Sequence, residues 1–416
     1  MLAKLNSWPR VLLGLALFKL AYLGLLGGAL WLWPDFDETR QGATQATWLK
    51  LAQERNPEGF GPFARHFATW DAAHYLLLSE AGYAKGLRSC AFYPLWPVLI
   101  RGGAVCTGGN HLIAGMVLAN LFSLAGWTLF YVVAAGRFGE TTARRALVLL
   151  VAFPGSLFHQ FIYTEALFFL LVMVLWRGLE RGRYGGAWVA AFLLPLTRAV
   201  GVFSVLPIAW AWLRPMWNAE RGTRNTTGLR SIFNSPSSIL HPTLPVPSGG
   251  TRRPAWALLA APPLGWAMYL ALMGHWTGNP FEGMEAQKYW GAHAISHLWN
   301  VPKFIVGFFE PTHWHAFKGS VLDRCFFLLL LYSLPLIWRQ GKDLLVWTYV
   351  LGLLPAMSGT FVSFTRFEST VFPLFLALGA FTVSRKTRWL FPALVGAMAI
   401  LHLVLLWRFV NYRWAG

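Results

Sequence analysis

Runs of about twenty apolar residues, enough for a helix to cross a hydrocarbon core of roughly 30 Å, recur along this chain. They occupy residues 11–33, 112–136, 255–273, 322–338, 343–362 and 389–410. Backbone in lipid must satisfy its own hydrogen bonds, so a chain built from such runs is expected to be an all-α polytopic membrane protein. Composition agrees, because hydrophobic residues make up 56% and charged residues 12% of the chain, about half the charged share of a soluble domain.

The net charge of +18 does not point to nucleic acid, because no basic stripe interleaved with stacking aromatics sits on a soluble module. It follows the bias of cytoplasmic loops toward Lys and Arg. Arg214, Arg221, Arg224, Arg230, Arg252 and Arg253 face only Glu220 within 214–253, so this stretch is expected on the cytoplasmic side. Its Pro, Gly, Ser and Thr content makes it a flexible basic loop. Cys90, Cys106 and Cys325 form no CxxC pair or even framework, so no redox or zinc site is expected from them.

Lys4 and Arg10 precede the first run, which lacks a cleavage pattern and reads as a first membrane helix entering from the cytoplasm. The resulting topology has about eleven membrane segments. An N-terminal membrane half, 1–213, carries a first external loop at 34–90. The loop 214–253 joins it to a C-terminal half, 254–416, with a second external loop at 274–320. The stretch 91–105 reads as interfacial or re-entrant. Residues 146–162 and 164–177 form a hairpin with His159, Tyr163 and Glu165 at its tip. The apolar block 186–213 holds Arg198 near its middle, where a single span would bury the guanidinium at a cost of about 2.5–3.5 kcal/mol. Two half-helices with Arg198 at an external turn remove that cost.

This topology gathers Trp70, Asp71, His74, Glu165, Arg198, Gln287, Lys288 and Arg366 on one side. Ionisable groups at a membrane edge mark a candidate functional site. A helix starting at Asp71 would carry His74 and Tyr75 on the same face at i+3 and i+4. Asp71 is a candidate to accept a hydroxyl proton, and Arg198 and Arg366 suit a phosphate by forked hydrogen bonds, with Lys288 as a point charge. The plainer readings also stand: Asp71 as a helix cap, Trp70 as an interface anchor, and the arginines as snorkelling or structural cations. No metal is expected. Asp35, Asp37 and Glu38 lack calcium-loop spacing, and His293, His297, His313 and His315 come without an HExxH pattern.

The run Trp70-Asp71-Ala72-Ala73-His74-Tyr75, with Gly82-Tyr83 and Ala91-Phe92-Tyr93-Pro94-Leu95-Trp96-Pro97, resembles the first luminal loop of the GPI mannosyltransferase 2 (PIG-V) family. Further matches in the family's order are Phe153-Pro154-Gly155-Ser156 with Tyr163-Thr164-Glu165, then Thr197-Arg198 with Gly201. Gly278-Asn279-Pro280-Phe281 with Gln287 and Trp290, and Thr365-Arg366-Phe367 with Pro373, complete the set. The resemblance spans roughly residues 60–380. It implies a GT-C membrane fold and mannose transfer, with inversion, from a polyprenyl- or dolichyl-phosphate mannose, without metal or other cofactor. It makes Asp71 the catalytic base and the arginines contacts to the donor phosphate. Trp70, His74, Tyr75, Glu165, Gln287 and Lys288 join them as substrate-binding residues.

One departure is that Lys85, Gly86 and Arg88 stand where the family commonly has an acidic residue. The short length, high Trp content and proline-rich loop point to a bacterial relative in the inner (plasma) membrane, its site facing outward. The acceptor expected there is a glycolipid, an envelope glycan or a protein hydroxyl. Membrane lipids are the surrounding partners, and nucleic acid is not one. A transporter or flippase of a lipid-linked or small solute is the competing reading. It places the substrate at the bilayer midplane between repeats, which this sequence lacks.

Overall fold

A computed structural model describes residues 7–33, 35–55, 64–213, 255–291 and 295–416. The expected basic loop 214–253 and His293 lie outside the described residues. Among the described residues there is no β-strand, only helices and one isolated bridge between His313 and Ser320. Five helices are long and apolar enough to cross a membrane: α1 (Trp8–Leu32), α5 (His111–Phe138), α10 (Ala255–Thr277), α12 (Val321–Gln340) and α16 (Leu390–Val410). The protein is therefore an all-α polytopic membrane protein.

Between α1 and α5 lie α2 (Ala43–Arg55), α3 (Asp71–Ala81) and α4 (Leu95–Val105). The expected loop 34–90 is thus largely helical, and 91–105 is a short apolar helix. Next come α6 (Glu140–Ala152), α7 (Glu165–Arg181), α8 (Tyr184–Thr197) and α9 (Ala199–Leu213), the last opening as a tight 3₁₀ turn. The expected helix 146–162 stops at Ala152, because Pro154 follows and 154–159 is a 3₁₀ segment. The C-terminal half adds α11 (Val301–Phe308) and α13 (Lys342–Thr348), which runs through a π turn into 354–359. After it come α14 (Phe364–Glu368) and α15 (Phe372–Phe381). Four of the apolar helices, α4, α8, α9 and α15, are shorter than a full span. The sequence reading of about eleven membrane segments included α8 and α9 as two half-helices and the stretch of α15 as a further segment.

The bundle is built around α5, which touches α1, α4, α6 and α7, with α8 and α10 continuing one flank and α15 and α12 the other. Leu13, Leu17, Leu20, Leu25 and Trp31 of α1 are exposed, as a helix bordering hydrocarbon requires. Lys19 on the same helix turns inward instead. Its Nζ donates to Ser123 Oγ at 2.7 Å and Asn120 Oδ1 at 3.2 Å and lies 4.2 Å from the Trp127 ring. Inward pairing is how an ammonium at bilayer depth avoids lipid.

Ion clusters stand at both ends of α7. At its C-terminal end Arg137 donates to Glu180 at 2.5 Å and, forked, to Asp343 at 2.6 and 2.8 Å. This cluster ties α5, α7 and α13 together. Glu165 stands at the other end, about 22 Å away at 1.5 Å rise per residue. Breaking a largely buried pair strands the remaining charges, so Arg137→Ala is expected to cost about 3 kcal/mol of stability. Thermal unfolding of the purified variant measures that loss.

The end that carries Glu165 also holds the exit of α1 and the end of α16. The Asp37 N–H donates to the Asn411 carbonyl at 3.2 Å, and Arg413 pairs with Asp35 at 2.9 Å. Arg408 and Arg413, near the end of the chain, are both engaged locally. Arg408 Nε donates to the Trp414 carbonyl at 2.8 Å.

Candidate active site

Three helix ends and one short helix converge at this end of the molecule. Asp71 is the first residue of α3 and Glu165 the first of α7, positions where a helix dipole favours a carboxylate. Arg198 is the residue that closes α8, where the dipole favours a cation. It sits in extended conformation at the break expected within 186–213. The chain doubles back tightly there, and a Cβ on Gly201 would lie 2.3 Å from the Leu194 carbonyl carbon, so only glycine fits. Arg366 comes from α14.

The four side chains form one continuous chain of ion pairs. Arg366 Nη1 donates to Asp71 Oδ2 at 2.5 Å and its Nε to Glu165 Oε1 at 2.5 Å. Arg198 Nη1 donates to the same Glu165 oxygen at 2.7 Å. Two carboxylates and two guanidiniums balance in charge. Exposure grades along the chain: the Glu165 side chain is fully buried, the arginines are 11% and 12% exposed, and Asp71 is the most open at 21%. Aromatic rings hold the arginines in place. The Phe367 ring is 4.4 Å from Arg198 Cζ and 5.6 Å from Arg366 Cζ, and Tyr163 is 4.6 Å from Arg366 Cζ. The Asp71 N–H donates to the Tyr163 hydroxyl at 3.2 Å.

Backbone strain precedes both Asp71 and Arg366. Trp70 has φ of 53°, and Thr360, Phe361 and Ser363 ahead of Arg366 have φ of 47°, 67° and 56°. Non-glycine residues hold such angles only where their surroundings impose them, and they gather at functional sites. Trp70 is stacked on Tyr412 at 4.8 Å and meets Trp414 edge-on at 5.4 Å. It is therefore packed by the C-terminal segment, which fixes the entry to Asp71.

The other expected site residues are placed differently. Tyr75 is buried and packs edge-on against Phe92 at 5.0 Å and Tyr163 at 6.4 Å. His74 turns away from the ion chain. Its Nδ1 shares a 2.7 Å hydrogen bond with Ser89 Oγ, and its ring stacks on Phe92 at 4.7 Å and meets Trp290 at 4.9 Å. Gln287 donates to the Ala91 carbonyl at 3.0 Å, docking the second long segment onto the first. Lys288 is exposed, its ammonium 5.2 Å from the Tyr289 ring, and it makes no described contact with the ion chain.

His74 belongs to α3, outside the membrane-spanning helices, where burial, with Arg88 nearby, pushes its imidazole down to about 3. Its folded-state value lies below the unfolded value of about 6.5, so the unfolded chain binds the proton first. The stability that neutral His74 contributes is complete above pH 6.5 or so and is lost as pH falls toward 3. Thermal unfolding measured down through this window is expected to decline in the wild type, and to decline less in His74→Gln.

Sequence reasoning passed over Asp323, which is fully buried and accepts from Thr365 next to Arg366. Its signal was the Ser320-x-x-Asp323 spacing before an apolar run, which reads as a helix start. The acidic residues considered for a metal are engaged elsewhere: Glu38 pairs with Arg65 at 2.9 Å, and Asp37 accepts from Thr39 at 2.6 Å. His297 bonds the Ser358 carbonyl at 2.8 Å.

Residues 62–219 match the family model described as Mannosyltransferase (PIG-V). This segment is similar to the PIG-V mannosyltransferases. No curated protein and no solved structure matches the chain. The PIG-V-like segment contains Asp71, Glu165 and Arg198, whereas Arg366 arrives from beyond it and closes the ion chain. A family of mannosyltransferases supports glycosyl transfer as the activity, with a sugar donor and an acceptor as partners.

Proposed function

We propose that the protein is a GT-C-type mannosyltransferase. It moves mannose from a polyprenyl-phosphate carrier to a hydroxyl of a lipid-linked or envelope glycan on the extracytoplasmic face of a bacterial inner membrane. The observation that carries this reading is the Asp71–Arg366–Glu165–Arg198 chain of ion pairs, most exposed at Asp71 and fully buried at Glu165.

In the proposed reaction the acceptor oxygen attacks the anomeric carbon as the bond to the phosphate oxygen breaks, and Asp71 takes the acceptor proton. The leaving polyprenyl phosphate gains one negative charge at the moment Asp71 loses one. Arg366 is bonded to Asp71 at 2.5 Å, so neutralising Asp71 frees its Nη1 for the new phosphate charge. Its Nε stays fixed by Glu165, and Arg198 provides the second guanidinium. The net charge of the site is the same before and after transfer. Arg366→Lys retains the charge but cannot bridge two carboxylates.

Donor choice tests this reading. Purified protein supplied with labelled polyprenyl-phosphate mannose and a membrane-lipid acceptor extract is expected to transfer label, to continue in the presence of EDTA, and to leave nucleotide-linked mannose unused. Transfer from the nucleotide sugar alone, or complete loss in EDTA restored by a divalent cation, overturns it.

A further inference from the structure

Arg366 occupies a five-residue helix, and so short a helix does not hold its shape alone. The segment is entered through three strained non-glycine residues. Its hold comes from outside. Asp323 Oδ1 accepts from the Thr365 N–H at 2.7 Å and the Thr365 hydroxyl at 2.6 Å, and both residues are fully buried. Asp323 is itself fixed at the start of α12, where its N–H donates to Ser320 Oγ at 3.2 Å. From the opposite side, Gly155 presses against the same turn, and a Cβ there would lie 2.1 Å from the Thr365 carbonyl oxygen and 3.1 Å from Arg366 Cα. Thr365 is gripped between Asp323 and Gly155, and the guanidinium one residue on reaches Asp71 and Glu165.

We propose that Asp323 is a positioning residue for Arg366, acting through Thr365 to hold the guanidinium between Asp71 and Glu165. The inference rests on the transferase reading for its catalytic consequence, and on geometry alone for its placement of Arg366. Asp323 makes its bonds to the backbone and hydroxyl of Thr365, not to the arginine. Its removal therefore leaves every ion-pair partner present and releases only the segment that aims one of them.

The test reads placement and chemistry separately in the full-length protein. Phenylglyoxal labelling of arginines, followed by peptide mass mapping, reports how firmly each guanidinium is held. Arg137 is the internal control, because it is ion-paired at the far end of α7 and 15% exposed against 12% for Arg366. Thr365→Val deletes one hydrogen bond and Asp323→Leu deletes two. Labelling of Arg366 is expected to rise about threefold and about tenfold respectively, with Arg137 unchanged. Asp323→Asn keeps an oxygen that can accept from Thr365 and is expected to restore near wild-type labelling. With polyprenyl-phosphate mannose as donor, kcat is expected to fall about tenfold to a hundredfold in Asp323→Leu while donor KM changes little. Arg366 labelled at the wild-type rate in the variants overturns the proposal, and Thr365→Val decides it if Asp323→Leu does not fold. Raised Arg366 labelling in a protein whose wild type transfers no mannose upholds the positioning role and removes the transferase reading instead.

Discussion

Asp71→Asn is expected to fold like the wild type and to lose transfer by about 10²–10⁴-fold, the range over which a positioned general base contributes. Folding survives because Arg366 keeps its bond to Glu165 and the Asp71 side chain is the most exposed of the four. Chemistry does not, because an amide cannot take the acceptor proton. Rates for purified wild type and variant, matched for thermal unfolding temperature, decide the matter. Equal rates would remove Asp71 from the proton transfer.

Glu165→Gln is expected to behave differently, losing stability and transfer together. The Glu165 side chain is fully buried and accepts from both arginines through one oxygen. Without its charge, two guanidiniums that are nearly buried are left facing Asp71 alone. Removing one partner from a buried ion cluster costs about 3–5 kcal/mol, so the variant should unfold at distinctly lower temperature and yield less folded protein. The molecules that do fold should transfer poorly, because Arg366 loses the anchor for its Nε. A variant as stable as the wild type would show that Glu165 enters the cluster protonated. The contrast between Asp71→Asn and Glu165→Gln separates a reacting carboxylate from a scaffolding one.

The ion chain was legible as a list of residues before it was visible as a site. Arg198 within an apolar block and Asp71 ahead of His74 and Tyr75 stood out because lipid makes such groups costly, and the structure brings Asp71, Glu165, Arg198 and Arg366 into direct contact. The pairing among them was hidden. The arginines picked out as phosphate ligands are held by carboxylates, Arg198 by one 33 residues away and Arg366 by two that are 201 and 295 residues away, and a pattern along the chain carries no record of such contacts. His74 shares a helix with Asp71, yet its environment is set by Ser89, Phe92 and Trp290, which helical periodicity cannot supply. Five of the six long apolar runs coincide with helices long and apolar enough to cross a membrane, whereas 343–362 is broken by a π turn between α13 and the short helix 354–359. The half-length helices α4, α8, α9 and α15 were harder, because a short apolar stretch has the same composition whether it spans, turns back or lies inside the bundle. Asp323 went unread, although its Ser320-x-x-Asp323 spacing marks the helix start that it occupies. That its carboxylate reaches Thr365 depends on how α12 and α14 pack.

In the proposed reaction this cluster of charges breaks the bond between mannose and a lipid phosphate, and a liposome experiment follows that bond. Purified wild-type protein is reconstituted in liposomes with polyprenyl-phosphate mannose labelled in the sugar and an acceptor lipid extract. The label is then followed both between molecules and between leaflets. Protein-dependent movement of label from the polyprenyl phosphate to an acceptor, with release of polyprenyl phosphate in equal amount, is the expected result. Donor that stays intact while crossing from one leaflet to the other would contradict it and identify a lipid transporter.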